Sequence, residues 1–178
     1  MVKIIGISGI AGAGKTELVR ALGEKLQSTT LYWDDFDDLS RAPLDYLEWH
    51  NHGKDYTLFD YSELANGLKT LKSGASYLHP ISGMKLLPTR YIFADLPLGR
   101  KHGQTSEHVD FFIYLDVPLD IALARRIIRD YELCNGDNLK KSLIDYLVKH
   151  RPLFMMEDVL ASADRVLDGT LSIEQLSG

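Results

Sequence analysis

Apolar residues fall along this chain in two rhythms: short unbroken runs, and stretches with three- and four-residue spacing. Val2–Ile7 is apolar and rich in β-branched residues with no period of two, which predicts a strand covered on both faces. From Lys15 the spacing changes, and Leu18, Val19, Leu22 and Leu26 mark one face of a helix. Thr29–Trp33 is short and β-prone and predicts a second strand. Arg90–Ala94 and Asp110–Leu115 again read as buried strands. Pro118 opens a helix to about Arg129, since proline suits a first helical turn. Leu139–Val148 predicts another amphipathic helix, with Leu143, Ile144 and Leu147 on one face, and Arg165–Leu167 a last short strand.

The stretch 41–89 has a different texture, with aromatics and histidines scattered among polar residues. It predicts a helix over Tyr61–Leu71, closed by Lys72-Ser73-Gly74, and then a hairpin or loop over 79–88. Strands alternating with helices predict an α/β fold with a mainly parallel sheet of five strands and helices on both faces. On that core 41–89 reads as an insertion, and 178 residues suit a single domain.

Composition narrows the class. Apolar residues make up 45% and charged residues 25%, near globular averages, which argues against disorder or a fibre. A formal net charge of −5 argues against a broad nucleic-acid surface, although a local basic cluster can still hold phosphate. Cys134 is the single cysteine, so no internal disulfide can form and a reducing compartment fits. The apolar start is soon broken by glycine, unlike a signal peptide, and no run approaches the ~18–20 apolar residues of a membrane span. The expectation is a soluble, cytoplasmic protein with no nucleic-acid or membrane partner.

The strongest motif is GIAGAGKT, Gly9–Thr16, which matches G-x-x-x-x-G-K-[ST] in full, behind a predicted strand and ahead of a predicted helix. Glycines at 9, 12 and 14 let the backbone adopt positive φ and approach an anion closely. Backbone N–H groups, those of Ala11 and Ala13 among them, and the next helix start would point at phosphate oxygens. Lys15 would reach the β- and γ-phosphates and the Thr16 hydroxyl would ligate Mg²⁺. The expected ligand is a nucleoside triphosphate.

Asp34, Asp35, Asp37 and Asp38 crowd the end of the second predicted strand. Strands flanking a phosphate loop end at the same sheet edge, so Asp34 and Asp35 would face metal-bound phosphates. A carboxylate there can take the proton of an attacking hydroxyl or orient it. Asp37 and Asp38 are expected in solvated loop. Asp95 follows another buried strand, where a carboxylate can hold Mg²⁺ directly or through water. Arg125 and Arg129 share a helix face at i, i+4, which favours an anion opposite; pairing with Asp120, Asp130 or Glu132 is the alternative. His50 and His52 sit two apart and do not suggest a metal site, and Trp49 reads as packing.

These motifs together resemble the uridine kinase-like branch of P-loop kinases, which includes nicotinamide riboside kinases. Trp33-Asp34-Asp35-Phe36 is similar to their D-x-F motif, Ile92–Leu96 to their strand-then-acid element, and Tyr114–Asp130 to their strand, helix and R-R-x-x-R-D lid entrance. Tyr146, Arg151-Pro152 and Ala163-Asp164 echo the family's Y…P…AD ending. The resemblance implies a three-layer P-loop kinase sandwich with a lid over about 125–138. It implies ATP and Mg²⁺ as cofactors and Asp34 as base, with Asp35 its nearest competitor. Metal binding would fall to Thr16, Asp95 and Asp34, and contact with ATP phosphate to Arg129, with Arg126 turned toward the acceptor.

Asp55, Tyr77 and His79 would then bind the acceptor, most plausibly a nucleoside presenting its 5′-hydroxyl. Kinases of pantothenate or sugars, or an ATP-binding regulator with impaired catalysis, are the alternatives. The chain departs from the family at Glu132–Asp137, where ELCNGD replaces an E-R-G-R pattern.

Overall fold

A computed structural model describes residues 1–130 and 136–178. In chain order, strand β1 (Lys3–Ser8) leads through the glycine loop into helix α1 (Lys15–Leu26), then β2 (Thr29–Tyr32). After β2, Trp33–Leu39 coils into a 3₁₀ helix. Helices α2 (Tyr46–Asn51) and α3 (Ser62–Lys72) follow, then β3 (Tyr77–Leu78), β4 (Lys85–Leu86) and β5 (Tyr91–Asp95). The chain continues with α4 (Gly103–Ser106), β6 (Phe111–Asp116), α5 (Leu119–Asp130) and α6 (Gly136–Asp145). It ends with α7 (Glu157–Leu160), β7 (Arg165–Asp168) and α8 (Ile173–Ser177).

The main sheet has the order β2-β5-β1-β6-β7, and every neighbouring pair in it is parallel. β3 and β4 form a separate antiparallel pair, the short hairpin expected within 79–88 but starting two residues earlier. Both faces of the main sheet are covered, as its apolar strands require. On one face Ile4, Ile92 and Ala94 pack with Leu64, Leu68 and Leu71 of α3. On the other, Ile7 and Phe93 pack with Leu18 and Val19 of α1 and Ala122 of α5. The result is the three-layer arrangement that the resemblance to P-loop kinases implies.

One register carries the functional consequence. Asp95, the last residue of β5, stands opposite Ile7 of β1 on one side and Tyr32 of β2 on the other. The glycine loop after β1 and the acidic run after β2 therefore leave the sheet at the same edge, flanking Asp95.

Two local expectations are corrected. The acidic run is not an extended strand end: Trp33 and Phe36 are 6% and 0% exposed, and three residues per 3₁₀ turn put both on the buried side. The second correction concerns the late helix. Its inward side runs from the half-buried Leu143 to the buried Tyr146, while Ile144 and Leu147 are exposed. The regular helix stops at Asp145 and widens into a π-helical stretch, Tyr146–His150, so a 3.6-residue extrapolation loses the face. Tyr146 packs there against Phe154, ring centroids 5.4 Å apart. Of the expected lid, residues 131–135, including Glu132 and Cys134, lie outside the described residues.

Candidate active site

A cleft of about 1050 Å³ opens at the sheet edge defined by Asp95. One end is lined by the glycine loop and by Gly169, Leu171 and Ile173 after β7. The other is lined by the 3₁₀ segment and by aromatic side chains from the 41–89 stretch.

Gly9, Gly12 and Gly14 have φ of 140°, 89° and 96°, angles that L side chains rarely adopt. A Cβ on Gly12 would overlap the Ala122 carbonyl oxygen of α5, whereas one on Gly14 would meet nothing within 4 Å. Close packing fixes the first and backbone angle alone the second. Ala11 is exposed on the cleft and Ala13 is buried. Lys15 Nζ donates to the Ile10 carbonyl at 3.3 Å, so the ammonium curls back across the loop.

Thr16 Oγ1 donates to Asp95 Oδ2 at 2.7 Å. Asp95 is 6% exposed, and its Oδ1 is buried with no hydrogen-bond partner among the described residues. Burial pushes this carboxyl above its usual range and Asp34 works in the same direction, while Lys15 and the Thr16 hydroxyl oppose them. A desolvated carboxylate oxygen without a partner, beside a hydroxyl, fits a hard divalent cation. Among the described residues no group of three or more His, Cys, Asp or Glu could hold a metal ion. A cation here would therefore be shared with phosphate and water.

The three arginines of α5 separate. Arg125 lines the cleft, but its Nη1 donates to the Gly169 carbonyl at 2.8 Å and the Ala13 carbonyl at 3.4 Å. It ties the glycine loop to the turn after β7. Arg129 also lines the cleft, with its guanidinium forked onto Asp130 at 2.6 and 3.2 Å, the pairing that the sequence left as an alternative. Arg126 points elsewhere, over the Phe154 ring at 4.7 Å, in a smaller cavity of about 300 Å³ beside α6.

The acidic run divides by its 3₁₀ period. Asp34 and Asp37, three apart, both line the cleft, as side chains at i and i+3 do when they eclipse. Asp34 is close enough for its charge to act on both Asp95 and Arg129. Asp35 is absent from the cleft lining, and its carboxylate lies 3.7 Å from His79 Nε2. Asp37, expected in solvated loop, instead accepts from the Tyr61 hydroxyl at 2.6 Å, and Tyr61 stacks on Trp33 with ring centroids 3.6 Å apart.

The expected acceptor contacts lie outside the cleft lining. Asp55 caps its own turn, its Oδ1 accepting from Thr57 N and Oγ1 at 3.0 and 2.7 Å; its neighbours Lys54 and Tyr56 line the cleft in its place. Tyr77 is buried against Gly67, with its hydroxyl on the Glu63 carbonyl at 3.2 Å. His79 is 6% exposed and packs on Phe36. Trp49 is buried, as packing requires, yet also borders the cleft.

Against known proteins, no protein-family model matches the sequence. The chain is 31% identical over 162 residues to the uridine kinase of Borrelia duttonii (strain Ly), covering 83% of this chain and 76% of that one. The chain belongs to the uridine kinase family.

The uridine kinase of Macrococcus caseolyticus (strain JCSC5402) is 26% identical, covering 84% of this chain and 79% of that protein. Two solved structures share the fold. A sugar kinase from Janibacter sp. HTCC2649 superposes with a TM-score of 0.53 at 15% identity, covering 99% of this chain and 91% of that one. A possible uridine kinase from Bacillus stearothermophilus gives 0.50 at 19% identity, covering 94% and 89%. This uridine kinase-family chain is thus a nucleotide-binding small-molecule kinase. Among its described residues no helix is long and apolar enough to cross a membrane.

Sequence reasoning missed Asp37, Lys54, Tyr56 and Tyr61. For Asp37 a signal was present: apolar residues at 33 and 36 with acids at 34 and 37 spell a period of three.

Proposed function

We propose that this kinase transfers the γ-phosphoryl group of ATP to a hydroxyl of a nucleoside, the 5′-hydroxyl in the preferred reading. The observation that carries the reading is that Asp34 lines one cleft together with the phosphate loop and with a set of aromatic rings. Asp34 is the residue assigned to orient the attacking hydroxyl and accept its proton. Trp33, Tyr56, Phe59 and Tyr61 offer flat apolar surface to a ring-bearing acceptor, which supports a nucleoside over a sugar or a pantothenate-like chain.

Mg²⁺ would be held by Thr16 and Asp95, with Asp34 nearby, and would supply neutralisation of phosphate charge. Lys15 would leave the Ile10 carbonyl for the triphosphate. The loop N–H groups would bind and align it. Arg129, exposed and forked onto its neighbour, would stabilise charge on the moving phosphoryl group. Arg125 acts by bracing the loop.

The test is ADP release on a panel of nucleosides, sugars and vitamins. Nucleoside-dependent turnover above the ATP-only rate is expected. Turnover confined to sugars or pantothenate, or ATP binding with no acceptor-dependent turnover, would replace this reading.

A further inference from the structure

The acceptor end of the cleft is held from outside by one residue of the C-terminal segment. Asp158, on α7, accepts from the Tyr56 hydroxyl at 2.7 Å through Oδ2 and from Lys54 Nζ at 3.4 Å through Oδ1. Lys54 Nζ also donates to the Met155 carbonyl at 3.3 Å, and Lys54 sits at φ 57°, a backbone angle that a non-glycine residue adopts only when its surroundings hold it there. Tyr56 is further fixed edge-on against Trp49, centroids 5.3 Å apart. Burial acts to raise the Asp158 carboxyl, but the Tyr56 hydroxyl and Lys54 outweigh it and keep the group below its usual range.

We infer that Asp158 is a positioning residue for the phosphoryl acceptor: it fixes Lys54 and Tyr56 as two polar points on the acceptor wall. Both side chains line the cleft, whereas Asp158 does not. The hydrogen-bond inventory leaves each with something to offer. Lys54 has three N–H donors, two of them committed to Asp158 and Met155; Tyr56 donates its proton to Asp158 and keeps its oxygen lone pairs. Ordering these two long side chains beforehand removes an entropic cost from acceptor binding. Because these contacts join 41–89 to the segment after α6, the carboxylate also couples acceptor binding to the C-terminal part of the fold. The inference rests on the reading that the aromatic end of the cleft takes the acceptor.

Asp158→Ala, Asp158→Asn and Tyr56→Phe are compared with wild type by steady-state kinetics against the best acceptor of the panel. Asp158→Ala is expected to raise the acceptor KM about tenfold while leaving the ATP KM and kcat within twofold. Asp158→Asn, which still accepts from Tyr56, should recover part of that loss, and the acceptor KM effects of Asp158→Ala and Tyr56→Phe should be non-additive in the double variant. A lowered melting temperature with unchanged acceptor KM, or equal effects on the ATP and acceptor KM, would overturn the role. If wild type prefers a sugar or vitamin, the nucleoside reading fails separately and the same comparison is made with that compound. A wild type that turns over no compound overturns both.

Discussion

Thr16 and Asp95 are joined by a hydrogen bond of 2.7 Å across 79 positions of sequence. The bond engages one carboxylate oxygen of Asp95 and leaves the other buried without a hydrogen-bond partner among the described residues. It links the first turn of α1 to the end of β5, so the hydroxyl next to the phosphate loop and the acid on the neighbouring strand are held together before any ligand arrives.

Asp95→Asn retains the size and one acceptor but removes the charge that suits a cation. The expected result is a loss on the order of 10–100-fold in Mg²⁺-dependent activity, with the Mg²⁺ titration shifted to higher concentration. Thermal stability should rise or stay level, since a desolvated carboxylate is removed. Activity measured against Mg²⁺ concentration, together with thermal melting, checks both.

Asp34→Asn and Asp35→Asn separate the two adjacent acids. The first should lower kcat about 10²–10⁴-fold while ATP-analogue affinity stays within a few-fold. The second weakens a 3.7 Å contact between the half-exposed Asp35 and the buried His79, away from the cleft lining, and should leave kcat within about twofold. Equal losses in the two variants would remove Asp34 from its assigned role.

Gly12→Ala and Gly14→Ala test two different reasons for glycine. Both meet an unfavourable backbone angle, on the order of 1–2 kcal/mol, but only the alanine at position 12 collides with the Ala122 backbone. Urea unfolding should therefore show the greater loss for Gly12→Ala, and nucleotide affinity should fall with it.

His102 provides a pH dependence. It is 1% exposed, with Nε2 2.9 Å from the Phe59 carbonyl and Nδ1 2.9 Å from Thr105 Oγ1. A carbonyl only accepts, so Nε2 carries the proton and Nδ1 accepts from the threonine hydroxyl in the neutral ring. Burial lowers the pKa, against smaller opposing effects of the Phe59 carbonyl and Asp60. The unfolded chain thus binds a proton near pH 6.5 that the folded chain refuses until lower pH. Stability from this group is complete above that value and is lost as pH falls below it. Unfolding free energies at pH 7.5 and 5.5 should differ less in His102→Gln than in wild type.

How much of this was legible beforehand depends on whether local spacing or long-range packing set each feature. The central strands β1, β5 and β6 are readable because each is a short, mostly apolar run with its middle residues buried, the edge strands β2 and β7 only as short β-prone stretches, and GIAGAGKT because backbone angle and anion geometry constrain its spelling. Asp95 and Asp34 were readable as strand-end acids. Asp37 was not, because a 3₁₀ turn was not expected there, although Trp33 and Phe36 anchor one. Resemblance assigns Asp55, Tyr77 and His79 to an acceptor site, but none lines the cleft: Asp55 Oδ1 caps its own turn at Thr57, Tyr77 packs on α3, and His79 sits between Phe36 and Asp35. Lys54 and Tyr56 gained their positions from Asp158, more than a hundred residues away, which no local pattern encodes.

The contact between Gly12 and Ala122 also has a mechanical side. Helix α5 cannot advance on the glycine loop there without a collision, nor retreat without opening a gap, so that point serves as a fulcrum. Arg126 and Arg129 lie one and two turns beyond it, the latter about 10 Å along the axis. A tilt of about 10° at the fulcrum would carry the Arg129 end roughly 2 Å, and the Arg125 bonds to the Ala13 and Gly169 carbonyls tether the helix against it, making the helix a short, braced lever whose far arm carries the charge.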